Sequence, residues 1–300
     1  MQAQLPEVRT ISAPRAGPIV AILGGVHGDE YEGVIAANAL AKRLTSDLVA
    51  GAVRVASPAH PAAWNSCTRE SPSDGKNLAR VFPGDHQGSP TQKLAHIITE
   101  QVIRGSDLLI DLHSAGSNFE MPFLCGFNGG SDQTAAQSQR LAGVFCAEFT
   151  WLHDATPGLG RSLTTAYDLE IPAIYVEGHG GRSIRRADFQ GYLDGVRRVL
   201  HDLNMVTDAP RVTYPTINVQ GDGNTDEGMA APMDGYMVTR VAVGDYITEA
   251  CIIADIVDID GAVLTTVRAE RAGYIMLLRR DAHVTAGVTI CIVATSHPKT

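Results

Sequence analysis

The sequence predicts an α/β protein, a mostly parallel sheet flanked by helices, followed by an all-β region. Three observations carry this. Short apolar runs alternate with helix-patterned stretches from residue 18 to residue 203, the order of a parallel sheet covered on both faces. The runs have strand length and stop at turn residues, as 18–23 does at Gly24-Gly25. Near residues 205–215 helical periodicity ends, prolines 210 and 215 punctuate the chain, and Val, Ile, Thr and Gly take over in short alternations. The expected units are residues 1–208 and 209–300.

The run 18–23 feeds the turn Gly24-Gly25-Val26-His27-Gly28-Asp29-Glu30, and 33–40 leads out as a helix. Residues 52–56 read as a second strand. A polar loop over 65–90 follows, and loops this long inside a compact domain usually carry function. Leu94, Ile97, Ile98 and Val102 give a helix over 92–104, and 107–112 is a buried strand ending at His113. Residues 133–149 and 162–169 read as helices, 173–176 as a strand ending at Glu177, and 186–203 as a long closing helix.

The composition is that of a folded chain, with 44% hydrophobic and 19% charged residues in 300. The net charge of −9 argues against nucleic acid and anionic membranes as partners. It leaves room for an anionic small substrate bound by a few arginines. The five cysteines are spread out with no C-x-x-C pair, which favours a reducing compartment. The chain begins without a basic segment followed by an apolar one, and no apolar run reaches the ~18 residues of a membrane span. The expectation is a cytoplasmic protein without membrane contact.

Three strand ends offer chemistry to one sheet edge, where open α/β sheets place their sites. His27 and Glu30 share one turn, and His113 ends another strand. A His₂Glu set leaves a zinc position open, the catalytic rather than the structural arrangement. Asp111, two residues before His113, would support a ligand ring from behind. Glu177 ends a third strand, where a carboxylate can take a proton from water and return it to a leaving nitrogen. His179 is the alternative for that role. Arg69 and Arg80, with Asn77 between them, can bind a carboxylate or a developing oxyanion. Arg161 is a weaker substrate-binding candidate. Against these stand plain readings: a loop histidine, a helix-start carboxylate, and solvated surface arginines.

In the tail, Asp234-Gly235-Tyr236-Met237 is echoed by Ala272-Gly273-Tyr274-Ile275, and Ile247-Thr248-Glu249-Ala250 by Val284-Thr285-Ala286-Gly287. Two similar β units predict a small pseudo-symmetric barrel or sandwich. The repeat resembles the lipoyl/biotinyl-carrier barrel-sandwich hybrid. Carriers need a lysine at a hairpin tip, and no lysine lies between Lys93 and Lys299. The tail therefore reads as a lid, as an oligomerisation module that would make the protein a homo-oligomer, or as a structural appendage.

Taken together, Gly-Gly-x-His-Gly-Asp-Glu (24–30), Asn-Leu-x-Arg-x-Phe-Pro-Gly (77–84), Asp-Leu-His (111–113) and the Glu177 strand end resemble the succinylglutamate desuccinylase/aspartoacylase family, relatives of the zinc carboxypeptidases. The resemblance implies a zinc-carboxypeptidase-like fold with a C-terminal β domain. It implies one zinc ion on His27, Glu30 and His113, Glu177 as general base and acid, and Arg80, with Arg69, on the substrate carboxylate or oxyanion. The family usually has Asn before the motif arginine, and here that position is Ala79. Either Asn77 compensates or one substrate contact is missing. The activity implied is zinc-dependent removal of an acyl group from an N-acyl amino acid or similar small amide. Carboxypeptidase action on a peptide C-terminus, and a non-catalytic zinc or small-ligand binding protein, are the alternatives.

Overall fold

The computed structural model describes residues 5–154, 158–212, 215–222 and 228–297. In the first two-thirds, strands β1 (Val8–Ser12), β2 (Ile19–Gly24), β3 (Ala52–Ala56), β4 (Leu108–Ser114), β5 (Phe119–Glu120), β6 (Leu124–Asn128), β7 (Phe149–His153) and β8 (Ala173–Gly178) alternate with helices. The helices are α1 (Tyr31–Asp47), α2 (Pro61–Ser66), α3 (Pro90–Ile98), α4 (Gln133–Phe145), α5 (Ser162–Asp168) and α6 (Arg186–Asp202). A π-helical stretch, Thr99–Ile103, extends α3. The tail adds β9 (Ile217–Gly221), β10 (Met229–Ala230), β11 (Gly235–Thr239), β12 (Tyr246–Ile247), β13 (Ile252–Val257), β14 (Val263–Arg268), β15 (Gly273–Arg279), β16 (His283–Val284) and β17 (Thr289–Ser296).

The largest sheet runs β1-β3-β2-β4-β8-β6-β7-β9-β17-β15-β12, with β10 on β17 and β5 on β15. Its centre, β3-β2-β4-β8, is parallel, while β6 enters antiparallel to β8. Parallel strands covered on both faces need apolar residues at successive positions. Accordingly Val20, Ala21, Ile22 and Leu23 are all fully buried. One face packs under α1, α4 and α6 through Ile22, Leu40, Phe145 and Val196. The other packs under α3 and α5 through Leu23, Ile98, Leu109 and Ala166.

The tail has its own core around Ile253, Ile256, Ile275 and Val293. It is also tied into the first part: β9 pairs with β7 in parallel, and β15 pairs with β5, placing Leu278 opposite Glu120. The expected helix over 133–149 ends earlier, at Phe145. Cys146 adopts a left-handed conformation (φ 56°) that stops α4, and Phe149 instead opens β7. Of the cysteines, Cys125 and Cys291 are buried and Cys67 is exposed; all five are free. No helix among the described residues is long and apolar enough to cross a membrane.

Candidate metal and active site

The turn after β2 is shaped by close backbone approach. Gly25 holds a positive φ of 76°, and a Cβ on Gly28 would lie 2.1 Å from the Ala63 backbone in α2. That packing puts His27 and Glu30 at the carboxyl edge of the sheet, 3% and 1% exposed. β4 brings His113 to the same edge. One ligand atom from each of His27, Glu30 and His113 lies within 4.8 Å of the others.

Glu30 is the hub. Its Oε1 meets His27 Nδ1 at 2.7 Å and Arg69 Nη1 at 2.9 Å. Its Oε2 meets His113 Nδ1 at 2.9 Å and the Ser114 N–H at 3.1 Å. Burial opposes ionisation, yet His27 and His113 hold the Glu30 carboxyl well below the usual range.

The far nitrogens test whether a metal fits. His27 Nε2 lies 3.1 Å from Asn77 Oδ1, an oxygen that also accepts the Ala79 N–H at 2.9 Å. Nε2 therefore carries the ring proton. Burial lowers the His27 pKa, which favours the neutral ring that a metal ligand needs. His113 Nε2 lies 3.1 Å from Asp111 Oδ1; burial works against protonation, but Asp111 and Glu30 outweigh it and raise the His113 pKa well above its ordinary value. In both rings Nδ1 converges on Glu30 while Nε2 lies beside an oxygen, where the outer support of a ligand histidine would be. The donor set fits zinc, and cobalt or manganese could share it.

Glu177 lies opposite His113 in the β4–β8 register. Burial and the Glu30 charge push its carboxyl up to about 8. Its Oε2 is buried without a hydrogen-bond partner among the described residues. With Asp29, Glu30 and Arg69 it lines a cleft of about 560 Å³, part of it open to solvent. Phe119 and Met121 form an apolar wall together with Leu277, which comes from β15.

A family model for the succinylglutamate desuccinylase/aspartoacylase catalytic domain matches residues 16–203, well over half of the chain. The chain belongs to this family. Its sequence is 29% identical over 290 residues to the N-alpha-acetyl-L-2,4-diaminobutyric acid deacetylase of Halomonas elongata, covering 93% of this chain and 82% of that one. The fold is similar to that of a succinylglutamate desuccinylase from Silicibacter sp. TM1040, with a TM-score of 0.90 at 22% identity over 97% of this chain and 89% of the other. It is similar also to the product-bound ectoine utilization protein EutE (DoeB) of Ruegeria pomeroyi, with a TM-score of 0.89 at 23% identity over 97% and 93% of the two chains.

Within the family motif of residues 77–84, the residues part company. Asn77 caps the short 3-10 turn Leu78–Arg80 and reaches His27. Ala79 is 9% exposed and gives its N–H to that cap. Arg80 Nη1 donates to the Ala79 carbonyl at 3.2 Å, and Arg80 is not among the residues lining the cleft. Arg161 stands at the N-cap of α5, near His153 and Tyr175, and does not line the cleft. His179 faces Glu120 at 3.5 Å rather than the three-residue cluster.

Asp111, expected behind His113, accepts the Ser162 hydroxyl on Oδ2. Sequence reasoning missed two other neighbours. Asp29 accepts the Ser117 N–H at 2.9 Å and shapes the cleft floor. Its place inside the turn motif was the available signal. Leu277 had none, because its position depends on the pairing of β15 with β5.

Proposed function

We propose that this protein is a zinc-dependent hydrolase of the amide bond in a small N-acyl amine, with an N-acyl amino acid as substrate. The observation that carries the reading is the convergence of His27, Glu30 and His113 within 4.8 Å beside Glu177, whose Oε2 is buried without a hydrogen-bond partner among the described residues. His27, Glu30 and His113 would hold one zinc ion, which when bound supplies Lewis acidity to the amide carbonyl and acidity to a water molecule. Glu177 takes the proton of the attacking water and returns it to the leaving nitrogen as the carbon–nitrogen bond breaks, which suits a carboxyl pushed well above its ordinary value. Arg69, 2.9 Å from Glu30 Oε1, donates to the oxygen that gains charge on the carbonyl. Asn77 keeps His27 oriented. Arg80 and Arg161 are the proposed contacts to the carboxylate of the substrate.

The cleft lining supports a short, uncharged acyl group. Of the described residues that line it, Arg69 is the one cation, so no second guanidinium stands there to pair with a carboxylate on the acyl chain. The likeness to a deacetylase of an N-acetylated diamino acid supports the same choice. The wall that Leu277 and Phe119 build supports a small substrate over a polypeptide.

The boundary near residue 209 and the barrel-sandwich character of the tail belong to the same proposal. The repeat units exchange edges: β11 pairs with β16, and β15 with β12. Each copy of the Gly-Tyr pattern thus opens a strand that pairs with the other unit, the arrangement that pseudo-symmetry requires.

The test is metal analysis of the purified protein combined with a hydrolysis screen over N-acetyl, N-formyl, N-succinyl and longer N-acyl amino acids. The expected result is zinc near one ion per chain and fastest release of acetate. Bound zinc with no hydrolysis across the panel contradicts the catalytic reading.

A further inference from the structure

Two residues on α6 reach the two strand ends that carry His113 and Glu177. β4 and β8 are parallel neighbours, and their register sets His113 against Glu177. How these strand ends are held therefore decides the distance from ligand to base. The Tyr192 hydroxyl donates to the His113 carbonyl oxygen. Asp188 Oδ2 accepts the His179 N–H at 3.0 Å, two residues beyond Glu177. Asp188 and Tyr192 are four residues apart, so they share one face of α6. A single helical turn thus grips both strands at the edge where the chemistry lies.

The grip is rigid. Tyr192 is 0% exposed, and its ring stands edge-on to Phe123 at 5.2 Å. Asp188 is 3% exposed and is itself held by Arg185 through Nε and Nη2, both at 2.9 Å. Glu32, in the first turn of α1, accepts the Gly180 N–H at 3.1 Å. Neither Asp188 nor Tyr192 lines the cleft, so neither can touch a substrate there. Burying a carboxylate this far is unfavourable without the bonds it makes, and core packing alone would have been served by apolar side chains at both positions.

We infer that Asp188 and Tyr192 are positioning residues: Tyr192 sets the His113 end of β4, and Asp188 sets the Glu177 end of β8. The inference rests on the roles proposed above for His113 and Glu177. It makes the two variants separable, one acting on the metal and the other on turnover.

The test compares full-length Tyr192→Phe, Asp188→Ala and Asp188→Asn with the wild type. The readouts are zinc affinity by competition with a chromophoric chelator, kcat and KM for N-acetyl substrate at saturating zinc, and thermal stability. Tyr192→Phe is expected to weaken zinc binding about three- to tenfold. Asp188→Ala is expected to lower kcat at least about tenfold, with KM and zinc affinity within about twofold. Asp188→Asn keeps an acceptor for the His179 N–H and recovers most of that kcat. Both Asp188 variants lose the charge facing Arg185, so an effect of losing that ion pair alone would appear in both, and thermal stability reports any further loss in Asp188→Ala. Should Asp188→Ala fail to fold, Asp188→Ser, whose oxygen is too short to reach, takes its place. Equal loss of kcat in the two Asp188 variants overturns the Asp188 half of the inference. Unchanged zinc affinity in Tyr192→Phe overturns the other half. A wild type that binds zinc but cleaves no amide overturns the proposed reaction and the Asp188 half with it; the zinc affinity of Tyr192→Phe then decides the rest.

Discussion

The strand-end cluster and the arginine loop are built differently. In the cluster, His27, Glu30 and His113 sit on a turn and a strand of the central sheet; Asn77 and Arg69 reach His27 and Glu30 from the long loop, and Asp111 faces His113 from the same strand. In the loop, Arg69 reaches the cluster while Arg80 folds back on the carbonyl of its own neighbour. The loop is anchored instead by Asp74, which accepts the Thr91 hydroxyl at 2.6 Å and the Thr91 N–H at 3.0 Å. The groups proposed for bond cleavage are thus mostly fixed at strand ends, while those proposed to contact the substrate lie on the loop. A preorganised reaction centre with adjustable recognition is the economical way for one fold to serve several acyl substrates.

The largest effect should come from the cluster. His113→Ala removes one of the three proposed ligands and should weaken zinc binding on the order of a hundredfold or more, with hydrolysis falling to background; equilibrium dialysis and a rate assay check both. Next, Glu177→Ala should retain zinc while kcat drops roughly 10²–10⁴-fold, measured at saturating substrate. An Ala variant near the wild-type rate would remove Glu177 from the mechanism.

The arginines sharpen the contrast within the loop. Arg69→Met should lower kcat about 10²-fold, whereas Arg80→Met should chiefly raise KM, about tenfold, by removing a charged substrate contact. If Arg80→Met costs more kcat than Arg69→Met, the division drawn between them is reversed.

The smallest effect concerns the loop anchor and its pH dependence. Desolvation opposes ionisation of Asp74, but the hydrogen bonds from Thr91, Ser89 and Lys76 hold its carboxyl well below the usual range. A depressed folded value means stability that is present above the ordinary carboxylate pKa and is lost as pH falls through the folded one. Asp74→Asn should therefore cost about 1 kcal/mol at pH 7, the modest figure expected of a partly solvated group. The gap to wild type should close as acid protonates Asp74, which urea titrations at neutral pH and below pH 3 can follow.

His27, His113 and Glu177 were legible in the sequence because each follows an apolar run, and Glu30 because it shares the turn of His27. The strands over 18–23, 107–112 and 173–176 bring His27, His113 and Glu177 to one edge by topology alone. Other features depend on contacts between distant segments. Phe149 was read into a helix, because nothing in the pattern shows that Cys146 turns left-handed at φ 56° and releases the chain into β7. The antiparallel entry of β6 beside β8 is a register choice that no local run encodes. Leu277 reaches the cleft through the β15–β5 pairing, which joins residues more than 150 positions apart. Arg80 carries the motif, yet its side-chain direction is set by packing that spacing does not report.

The most direct test is a titration of zinc into chelator-stripped protein, following acetate release from an N-acetylated diamino acid. The account predicts no turnover without metal and a rise that saturates at one zinc per chain, with His113→Ala flat throughout. Full activity in the stripped protein, or the same titration curve in His113→Ala, would contradict it.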